Sequence, residues 1–548
     1  MNKWLCLWFL LLPSVLKAHY LHECKEGYRK FQIVCTFVNI RRNNTIQNAA
    51  FEMRSNQYIR TVIFENSTIS ELPRTIFQKL PNLENLTMSN VGLIDELHKY
   101  SFEKANALII LNLMKNNLTA VEKHTFSEAK KIQIIDLSYN SISKVDVLAF
   151  ETTNLRRLTL SQNLLESLPN EIFNKVQNIS MIDLSYNKLR DIERHLFINC
   201  KKLQNLNLQG NHLKHIALTL PFTVRSLDFS DNRIEDIFIE PIHNRTNIDL
   251  RELLRFIANN NSINSFDVHT DFILTYVDLT QNNLSDIKNI SKMSTIIELS
   301  LAFNPDIGEL PLNVFENMTS LLSLNLEHTN LGRLDFGTFS QTTKLRSLDI
   351  SYNNLDEIDL DMLAALSSLE EISLIGNNLT KLEYNGLIEL FPKLRFIGIS
   401  NNNFECKNLA NILKYLNKQN IRLLEDPYKE NHLMGQNLKG ISCHNTPAVL
   451  HTEKQIQDIN DIQETKARLA KISGRKETRT IDSDARVKDE GSSADVKAIK
   501  IMVFTLLLIN LIFFGIKLGR YLKTKKSSHS MRLSGAIQEE NLMEDLVS

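Results

Sequence analysis

Hydrophobic residues recur along most of this chain in one fixed pattern, L-x-x-L-x-L-x-x-N-x-L, in which Ile, Val, Phe or Met can replace Leu. The six letters IDLSYN at 135–140 and again at 182–187 are the middle of this pattern, and LDISYN at 348–353 is a near copy. A period of about 24 residues predicts a solenoid, in which each repeat is one coil and neighbouring coils bury each other's hydrophobic side. Fifteen repeats span 59–404, and their first positions are Ile59, Leu83, Leu108, Ile132, Leu155, Ile179, Leu203, Val224, Leu253, Leu274, Ile296, Leu321, Leu345, Leu369 and Leu394.

Positions three to six of each repeat predict a short strand. Hydrophobic residues at positions one, four and six point inward, and alternation along a strand then places positions three and five on the outer, concave face. Strands of successive coils are expected to form one parallel sheet, which gives an α/β fold. Several repeats also carry a trailing Phe with a hydrophobic residue three positions later, and these pairs are expected to fill the far half of each coil: Phe77/Leu80, Phe102/Ala105, Phe126/Ala129, Phe173/Val176 and Phe315/Met318.

Position nine is Asn in most repeats, and the exceptions are Ser67, Val91 and Thr329. A turn at this place buries backbone N–H and C=O groups, and the Asn side chain carries both a donor and an acceptor. We therefore expect it to bridge one coil to the next, without any functional role. The step from Val224 to Leu253 is longer than the others, and the extra residues near 238–252 predict a surface loop or a change in curvature.

The two ends of the chain carry targeting signals. Residues 1–18 have a basic start and a short apolar run, which is typical of a secretory signal peptide. Residues 498–519 form a second apolar run followed by basic residues, which predicts one transmembrane helix with the N-terminus extracellular and the C-terminus cytoplasmic. Residues 447–497 between the repeats and this helix read as a helical or flexible stalk, and the tail 520–548 is too short for a domain with its own core.

Cysteines flank the repeats on both sides. Cys24 and Cys35 lie in an N-terminal cap at 19–58, and Cys406 and Cys443 lie in a C-terminal cap at 405–446. Because a solenoid exposes its core at both ends, a pair in each cap of a secreted chain predicts two capping disulfides, and 406–421 predicts an amphipathic helix. Cys200 is left over. It occupies a position that other repeats fill with Leu, Val or Met, which favours a small buried side chain over an interchain bridge.

Composition and motifs favour a binding protein over an enzyme. Lys and Arg together number 63, as do Asp and Glu, so the net charge is zero and nothing supports a nucleic-acid partner. Known catalytic motifs and metal-ligand spacings are missing from the sequence, so neither cofactor nor metal is expected. Candidate ligand contacts are Tyr and Asp residues that recur beside the strands, although the same letters are ordinary wording for this repeat: Tyr139, Tyr186, Tyr352, Asp136, Asp183 and Asp349.

Asn-x-Ser/Thr sequences are frequent, as expected for a glycosylated extracellular region. They occur at Asn43, Asn66, Asn85, Asn117, Asn178, Asn244, Asn260, Asn283, Asn289, Asn317 and Asn378.

Over roughly 24–445 the chain resembles the extracellular leucine-rich-repeat proteins of animals, which form a horseshoe-shaped solenoid. Its C-terminal cap, with one Cys, a K/N-rich helix and a later Cys, is similar to the caps of the mosquito leucine-rich-repeat immune proteins, and most of all to their membrane-anchored subtype. The resemblance implies an innate immune role, with a complement-like thioester protein or another leucine-rich-repeat chain as partner. It departs from Toll-type receptors, since no signalling domain follows the predicted membrane helix. A cell-adhesion or developmental receptor, or a non-signalling co-receptor, remains an alternative of the same architecture.

Overall fold

Each predicted repeat contributes one strand to a single sheet. The computed structural model describes residues 22–445 apart from 24, 30–31, 43–50, 53–57, 70, 94–96, 152–153, 243–252 and 429–435. Two strands precede the repeats, Lys25–Arg29 and Gln32–Val38, and one follows them, Arg422–Leu423. The repeat strands are Ile59–Glu65, Asn85–Thr87, Ile110–Asn112, Ile134–Asp136, Arg157–Thr159, Met181–Asp183, Asn205–Asn207, Ser226–Asp228, Leu253–Ile257, Ile273–Asp278, Glu298–Ser300, Ser323–Asn325, Ser347–Asp349, Glu371–Ser373 and Phe396–Gly398.

These strands pair in chain order and in register. Lys25–Arg29 is antiparallel to Gln32–Val38, and every later neighbour in the sheet is parallel. Ile135 lies opposite Leu158, which in turn lies opposite Ile182, so residues at position four form one continuous row. Positions three and five form two further rows on the other side of the sheet, and we call that side the open face. The prediction of a parallel-sheet solenoid is confirmed.

Rows of apolar side chains fill the space behind the sheet. Residues at positions one, four and six are buried throughout the described repeats, as in Ile132, Ile135 and Leu137. The trailing phenylalanines stack from coil to coil: the rings of Phe102 and Phe126 lie 5.0 Å apart, and those of Phe126 and Phe150 lie 5.7 Å apart. A repeat alone could not shield these surfaces, so each coil depends on its neighbours for burial.

Cys200 lies in this interior. It is fully buried and has a free thiol. Burial raises the pKa of the thiol to about 12, so the group stays protonated and unreactive at physiological pH.

A ladder of asparagines at position nine joins the coils, as the sequence predicts. The side-chain nitrogen of Asn187 donates to the carbonyl of Leu160 in the preceding coil at 2.9 Å and to its own Leu184 at 3.0 Å. Its oxygen accepts the backbone N–H of Leu165 at 3.1 Å. The Leu160 carbonyl also receives Asn163 at 3.0 Å, so each such carbonyl is shared by two asparagines. The turn therefore buries its backbone groups with partners.

The exceptions at position nine are compensated by their neighbours. Where Val91 replaces Asn, the oxygen of Asn116 accepts the N–H groups of both Val91 and Leu93, each at 3.1 Å. Thr329 donates its hydroxyl to the carbonyl of Leu326 at 2.7 Å, and the oxygen of Asn353 accepts its N–H at 3.0 Å. The bridge between coils thus survives a change of residue at one rung.

A second parallel sheet replaces the trailing phenylalanines in the middle of the solenoid. Its strands are His215–Leu220, Asp236–Pro241 and Ser265–Val268. Asp236–Pro241 and Ser265–Val268 alternate more exposed with buried residues, as does the first part of His215–Leu220, which is the pattern of a strand with one side against the core. The surface-loop prediction for 238–252 is therefore wrong at 238–241. Phe238 and Ile239 pair with strands of both neighbouring coils, and Glu240 and Pro241 pair with the end of His215–Leu220. Residues 243–252 lie outside the described part.

Among the residues described before the C-terminal cap, helices are few and short. Single turns of α-helix lie at Thr75–Lys79, Lys288–Ser291 and Leu387–Leu390, and a 3-10 turn lies at Leu360–Leu363. The longest described helix is Cys406–Lys418, and its buried residues Leu409, Ile412, Leu413 and Leu416 follow the i, i+3, i+4, i+7 spacing of an amphipathic helix. This helix covers the last coil, as predicted.

The caps contain disulfides. Cys406 and Cys443 are joined in the C-terminal cap. Cys35 is disulfide-bonded in the N-terminal cap, and its predicted partner Cys24 lies outside the described residues. The same holds for the predicted signal peptide at 1–18, stalk at 447–497, membrane helix at 498–519 and tail at 520–548. Within the described part of the chain, none of the helices has the length and apolar character needed to cross a membrane.

Candidate functional site

The open face is a regular surface that runs the length of the repeat sheet. Its strand residues at positions three and five are half-buried or exposed, apart from the buried Ser373 and Gly398, and position four between them is buried. Side chains there differ from coil to coil, from Arg157 to Met181 to Tyr276. Arg255 and Tyr276 stand side by side on adjacent strands, with the guanidinium carbon 3.8 Å from the ring centre. Position three has no recurring residue, so the side chains there are free to be selected for ligand binding.

The predicted aspartates lie on this face at position five, and each also holds its own turn. One oxygen of Asp136 accepts the N–H and the hydroxyl of Ser138, at 3.0 and 2.6 Å. Asp183 bonds the N–H and hydroxyl of Ser185 at 3.1 and 2.7 Å, and Asp349 bonds Ser351 in the same way. The recurring letters D-L-S thus have a structural cause.

The predicted tyrosines occupy position eight, where the chain turns sharply after each strand. Their φ angles are 54° at Tyr139, 53° at Tyr186 and 52° at Tyr352. Every repeat adopts this left-handed conformation at position eight, so these residues form a row along one edge of the open face, which we call the turn row. Its members are Asn66, Asn90, Lys115, Tyr139, Gln162, Tyr186, Gly210, Asp231, Asn260, Gln281, Phe303, His328, Tyr352, Gly376 and Asn401.

Two of the tyrosines lie flat over a glycine of the next coil. A Cβ atom on Gly210 would stand 2.5 Å from Cδ1 of Tyr186, and one on Gly376 would stand 2.5 Å from Cδ1 of Tyr352. Glycine is therefore required there both for its left-handed backbone and for the space that the ring occupies. Tyr139 and Tyr186 keep 49% and 43% of their surfaces exposed, so they remain available for contacts.

Tyr352 belongs to a cluster that the sequence did not reveal. Phe303, His328 and Tyr352 come from three successive coils of the turn row and stack with ring centres 4.5 and 4.8 Å apart. Tyr428, from the chain that follows the last strand, stands edge-on to Tyr352 at 4.9 Å and to His328 at 6.0 Å. We call these four residues the C-terminal aromatic cluster.

Carboxylates surround this cluster. The hydroxyl of Tyr352 donates to Oδ1 of Asp426. Burial raises the pKa of Glu327, and the negative charges of Asp349 and Asp426 raise it further against the opposing effect of a hydrogen bond from Tyr428. Oε1 of Glu327 is buried and has no hydrogen-bond partner among the described residues. The cluster is therefore an aromatic surface in a negative field.

The remaining titratable groups of the cluster shift for the same reasons. Burial lowers the pKa of His328, so its imidazole is neutral at physiological pH. The pKa of Glu371 is raised by burial and by Asp349, and the pKa of Tyr428 is raised by burial and by its contact with Glu327. The sequence carried one usable signal, the succession Phe, His, Tyr at position eight of three repeats.

The predicted glycosylation sites mostly avoid the open face. Asn85 lies in a strand at position three, half-buried, with its side-chain nitrogen 3.1 Å from Oγ1 of Thr61. Asn43 and Asn244 lie outside the described residues. The other predicted sites are exposed and lie outside the strands, with Asn289 in the short helix Lys288–Ser291: Asn66, Asn117, Asn178, Asn260, Asn283, Asn289, Asn317 and Asn378. Beyond Asn85, the described open face is thus free of such sequences at positions three and five.

Among the described residues, no group of three or more His, Cys, Asp or Glu side chains is arranged to hold a metal ion. The geometry of the site is that of a broad surface of polar and aromatic side chains, which is suited to contacts with another macromolecule.

Comparison with known proteins characterises the repeats. The leucine-rich-repeat family model matches residues 106–151, 153–213, 294–355 and 343–404. These segments therefore carry leucine-rich repeats, and the described fold is a parallel-sheet solenoid of that type. No curated protein sequence matches it.

Solved structures share the fold. A chain of the mosquito LRIM1/APL1C complex is 21% identical, with a TM-score of 0.57 over 96% of this chain and 95% of that one. The mosquito APL1 leucine-rich-repeat domain is also 21% identical, with a TM-score of 0.56 over 78% of this chain and 99% of that one. TLR13, solved in complex with ssRNA13, is 20% identical, with a TM-score of 0.52 over 67% of this chain and 57% of its own.

Proposed function

We propose that this chain is a single-pass membrane protein whose extracellular solenoid binds another protein through the open face, in innate immune recognition. The observation that carries the binding role is the open face itself. Its fifteen repeat strands carry side chains at position three that are half-buried or exposed and differ from coil to coil, beside a second row at position five, while the apolar residues between them are buried. A rigid face of this kind presents many contacts without an ordering cost.

The immune setting rests on resemblance. The C-terminal cap resembles that of the mosquito leucine-rich-repeat immune proteins, and a chain of the LRIM1/APL1C complex shares the fold over nearly the whole length. That complex joins two leucine-rich-repeat chains, so a second chain of this class is one proposed partner. A complement-like thioester protein is the other proposed partner.

The proposed topology explains several features together. A signal peptide at 1–18 and a membrane helix at 498–519 would place the solenoid outside the cell, where disulfides such as Cys406–Cys443 persist. Treatment with a peptide N-glycosidase should lower the apparent mass of the chain made in insect cells, and protease added outside intact cells should remove the solenoid and leave the tail. An unshifted mass together with full protection would refute the extracellular location.

Affinity capture tests the immune role. The full-length chain, immobilised in detergent, is incubated with haemolymph from bacterially challenged and from naive insects, and bound proteins are quantified by mass spectrometry. The proposal expects a thioester protein or a leucine-rich-repeat chain to be enriched. Clustering of cells that express the chain, with no enrichment of either protein, would favour an adhesion receptor instead.

A further inference from the structure

We propose that the C-terminal aromatic cluster is the docking site for a basic segment of the partner protein, in which an Arg or Lys side chain lies against the rings and pairs with the surrounding carboxylates. This inference rests on the proposed protein-binding function and adds the place and the chemistry of one contact. Two observations carry it: the exposed ring of Tyr428 beside the aromatic stack, and the surrounding carboxylates, which have no ion-pair partner among the described residues.

The aromatic part of the site consists of three stacked rings and a fourth ring perpendicular to them. Phe303, His328 and Tyr352 stack along the turn row, and Tyr428 stands edge-on beside them with 49% of its surface exposed. Within the stack the rings cover one another's faces, so the exposed ring of Tyr428 is the one that a cation would approach. Its quadrupole attracts a cation at the ring face, and a guanidinium can also stack flat on it. The same chain already makes such a contact on the open face, between Arg255 and Tyr276.

The negative charge around the rings is not neutralised from within the described chain. The carboxylates here are those of Glu327, Asp349, Glu371 and Asp426. In addition to burial, the charge of Asp349 raises the pKa of both Glu327 and Glu371, and the charge of Asp426 raises the pKa of Glu327. None of the four forms an ion pair with a described residue. Four carboxylates thus gather around the rings without a basic partner among the described residues, and a cation from outside would relieve their mutual repulsion.

The surroundings leave the cluster accessible. The turn row carries predicted glycosylation sequences at Asn66 and Asn260 but none in the last five repeats, where the cluster lies. Tyr428 comes from the segment after the last repeat strand, so the cluster unites the turn row with the C-terminal cap. A partner that bound here would contact both parts at once.

Designed peptides test the chemistry directly on the purified full-length chain. The probe is a fluorescein-labelled dodecapeptide in which Arg alternates with Ala and Leu, and its match has citrulline, a neutral group of the same shape, at every Arg. Fluorescence anisotropy measures both affinities. We expect the citrulline peptide to bind at least about tenfold more weakly, and the Arg peptide to weaken further as salt is raised.

Variants of the chain test whether the Arg peptide binds at the C-terminal aromatic cluster. Tyr428→Ala and Glu327→Gln should each weaken the Arg peptide about tenfold, whereas Tyr428→Phe, which keeps the ring, should retain most of the affinity. The control is Tyr139→Ala, because Tyr139 also lies in the turn row and is equally exposed, at 49%. It should change the affinity less than about twofold. Circular dichroism verifies that each variant is folded.

Three results would overturn the inference: equal binding of the Arg and citrulline peptides, equal affinities of Tyr428→Ala and Tyr139→Ala, or salt-sensitive self-association that Tyr428→Ala abolishes, which would make a second copy the occupant. Failure of the proposed function is distinguishable. If haemolymph yields no partner, the protein-binding role falls whatever the peptides do. If a partner binds Tyr428→Ala as tightly as Tyr139→Ala, only the docking site falls.

Discussion

The asparagine ladder predicts a large and local loss of stability when one rung is removed, and Asn187→Ala is the test. The substitution leaves the N–H of Leu165 buried without a partner, which costs about 1–3 kcal/mol. The carbonyls of Leu160 and Leu184 lose one bond each but keep a second asparagine, Asn163 and Asn211 respectively, so each costs only about 0.5–1 kcal/mol. The expected total is about 3 kcal/mol.

Hydrogen exchange measures this loss where it occurs. In a solenoid the effect is confined to neighbouring coils, so one global unfolding free energy would dilute it. The reporter is the amide of Leu184, which donates to Asn207 at 2.9 Å and is not a partner of the Asn187 side chain. Its exchange should accelerate about a hundredfold. Asn170→Ala, an exposed asparagine of the preceding repeat, is the control and should change stability by less than about 0.5 kcal/mol. Equal exchange of the Leu184 amide in both variants would refute the reasoning.

Three further predictions concern the interior and the turn row. Gly210→Ala should lower the free energy of unfolding by at least about 2 kcal/mol in denaturant titrations, because its Cβ would strike the Tyr186 ring. Gly308→Ala is the control: Gly308 is also left-handed but has nothing within 4 Å of the added Cβ, so the loss should be only about 1 kcal/mol. Equal losses in the two variants would contradict this. Phe126→Ala should cost about 3–5 kcal/mol by breaking the buried ring stack, and Phe336→Ala, 60% exposed, should cost little; a smaller loss for Phe126 than for Phe336 would disprove the stack's role. Iodoacetamide should leave Cys200 unmodified until the chain is denatured, and rapid labelling of the native chain would argue against burial. Because the pKa of the folded thiol, about 12, exceeds the 9.0 of a free thiol, its contribution to stability should be complete below pH 9 and lost as pH rises toward 12, a dependence that Cys200→Ala removes.

The spacing of leucines was enough to predict the sheet, because a side chain at position four has one role in every coil. The same holds for Asn187 and its equivalents, and for Cys200, whose place in the repeat predicted burial. In each case a local pattern determines the environment, since the neighbours of a coil are again coils of the same kind.

Features that depend on contacts outside the repeat were missed. Asp426 and Tyr428 lie beyond the last repeat, and Asp426 meets Tyr352 across 74 residues of chain, so no period connects them. The second sheet over His215–Leu220 and Asp236–Pro241 was missed for another reason. The alternation of hydrophobic and polar residues is partly visible in the letters, but only the long step from Val224 to Leu253 was interpreted, as a surface loop or a change in curvature. All fifteen repeats adopt the left-handed conformation at position eight, with several different residue types there, so residue type alone did not predict it.

A glycan placed on the open face tests the central claim most directly. Arg157→Asn completes the glycosylation sequence N-L-T at 157–159, on an exposed position three of the sheet. Gln341→Asn completes N-T-T at 341–343, in an exposed turn after the buried Phe339 and outside the strands. Both variants are made in insect cells, the added glycan is verified by mass, and binding of the captured haemolymph partner is measured. The account predicts that the glycan at 157 abolishes binding and that the glycan at 341 leaves it unchanged. Full binding with the glycan at 157 in place would contradict it.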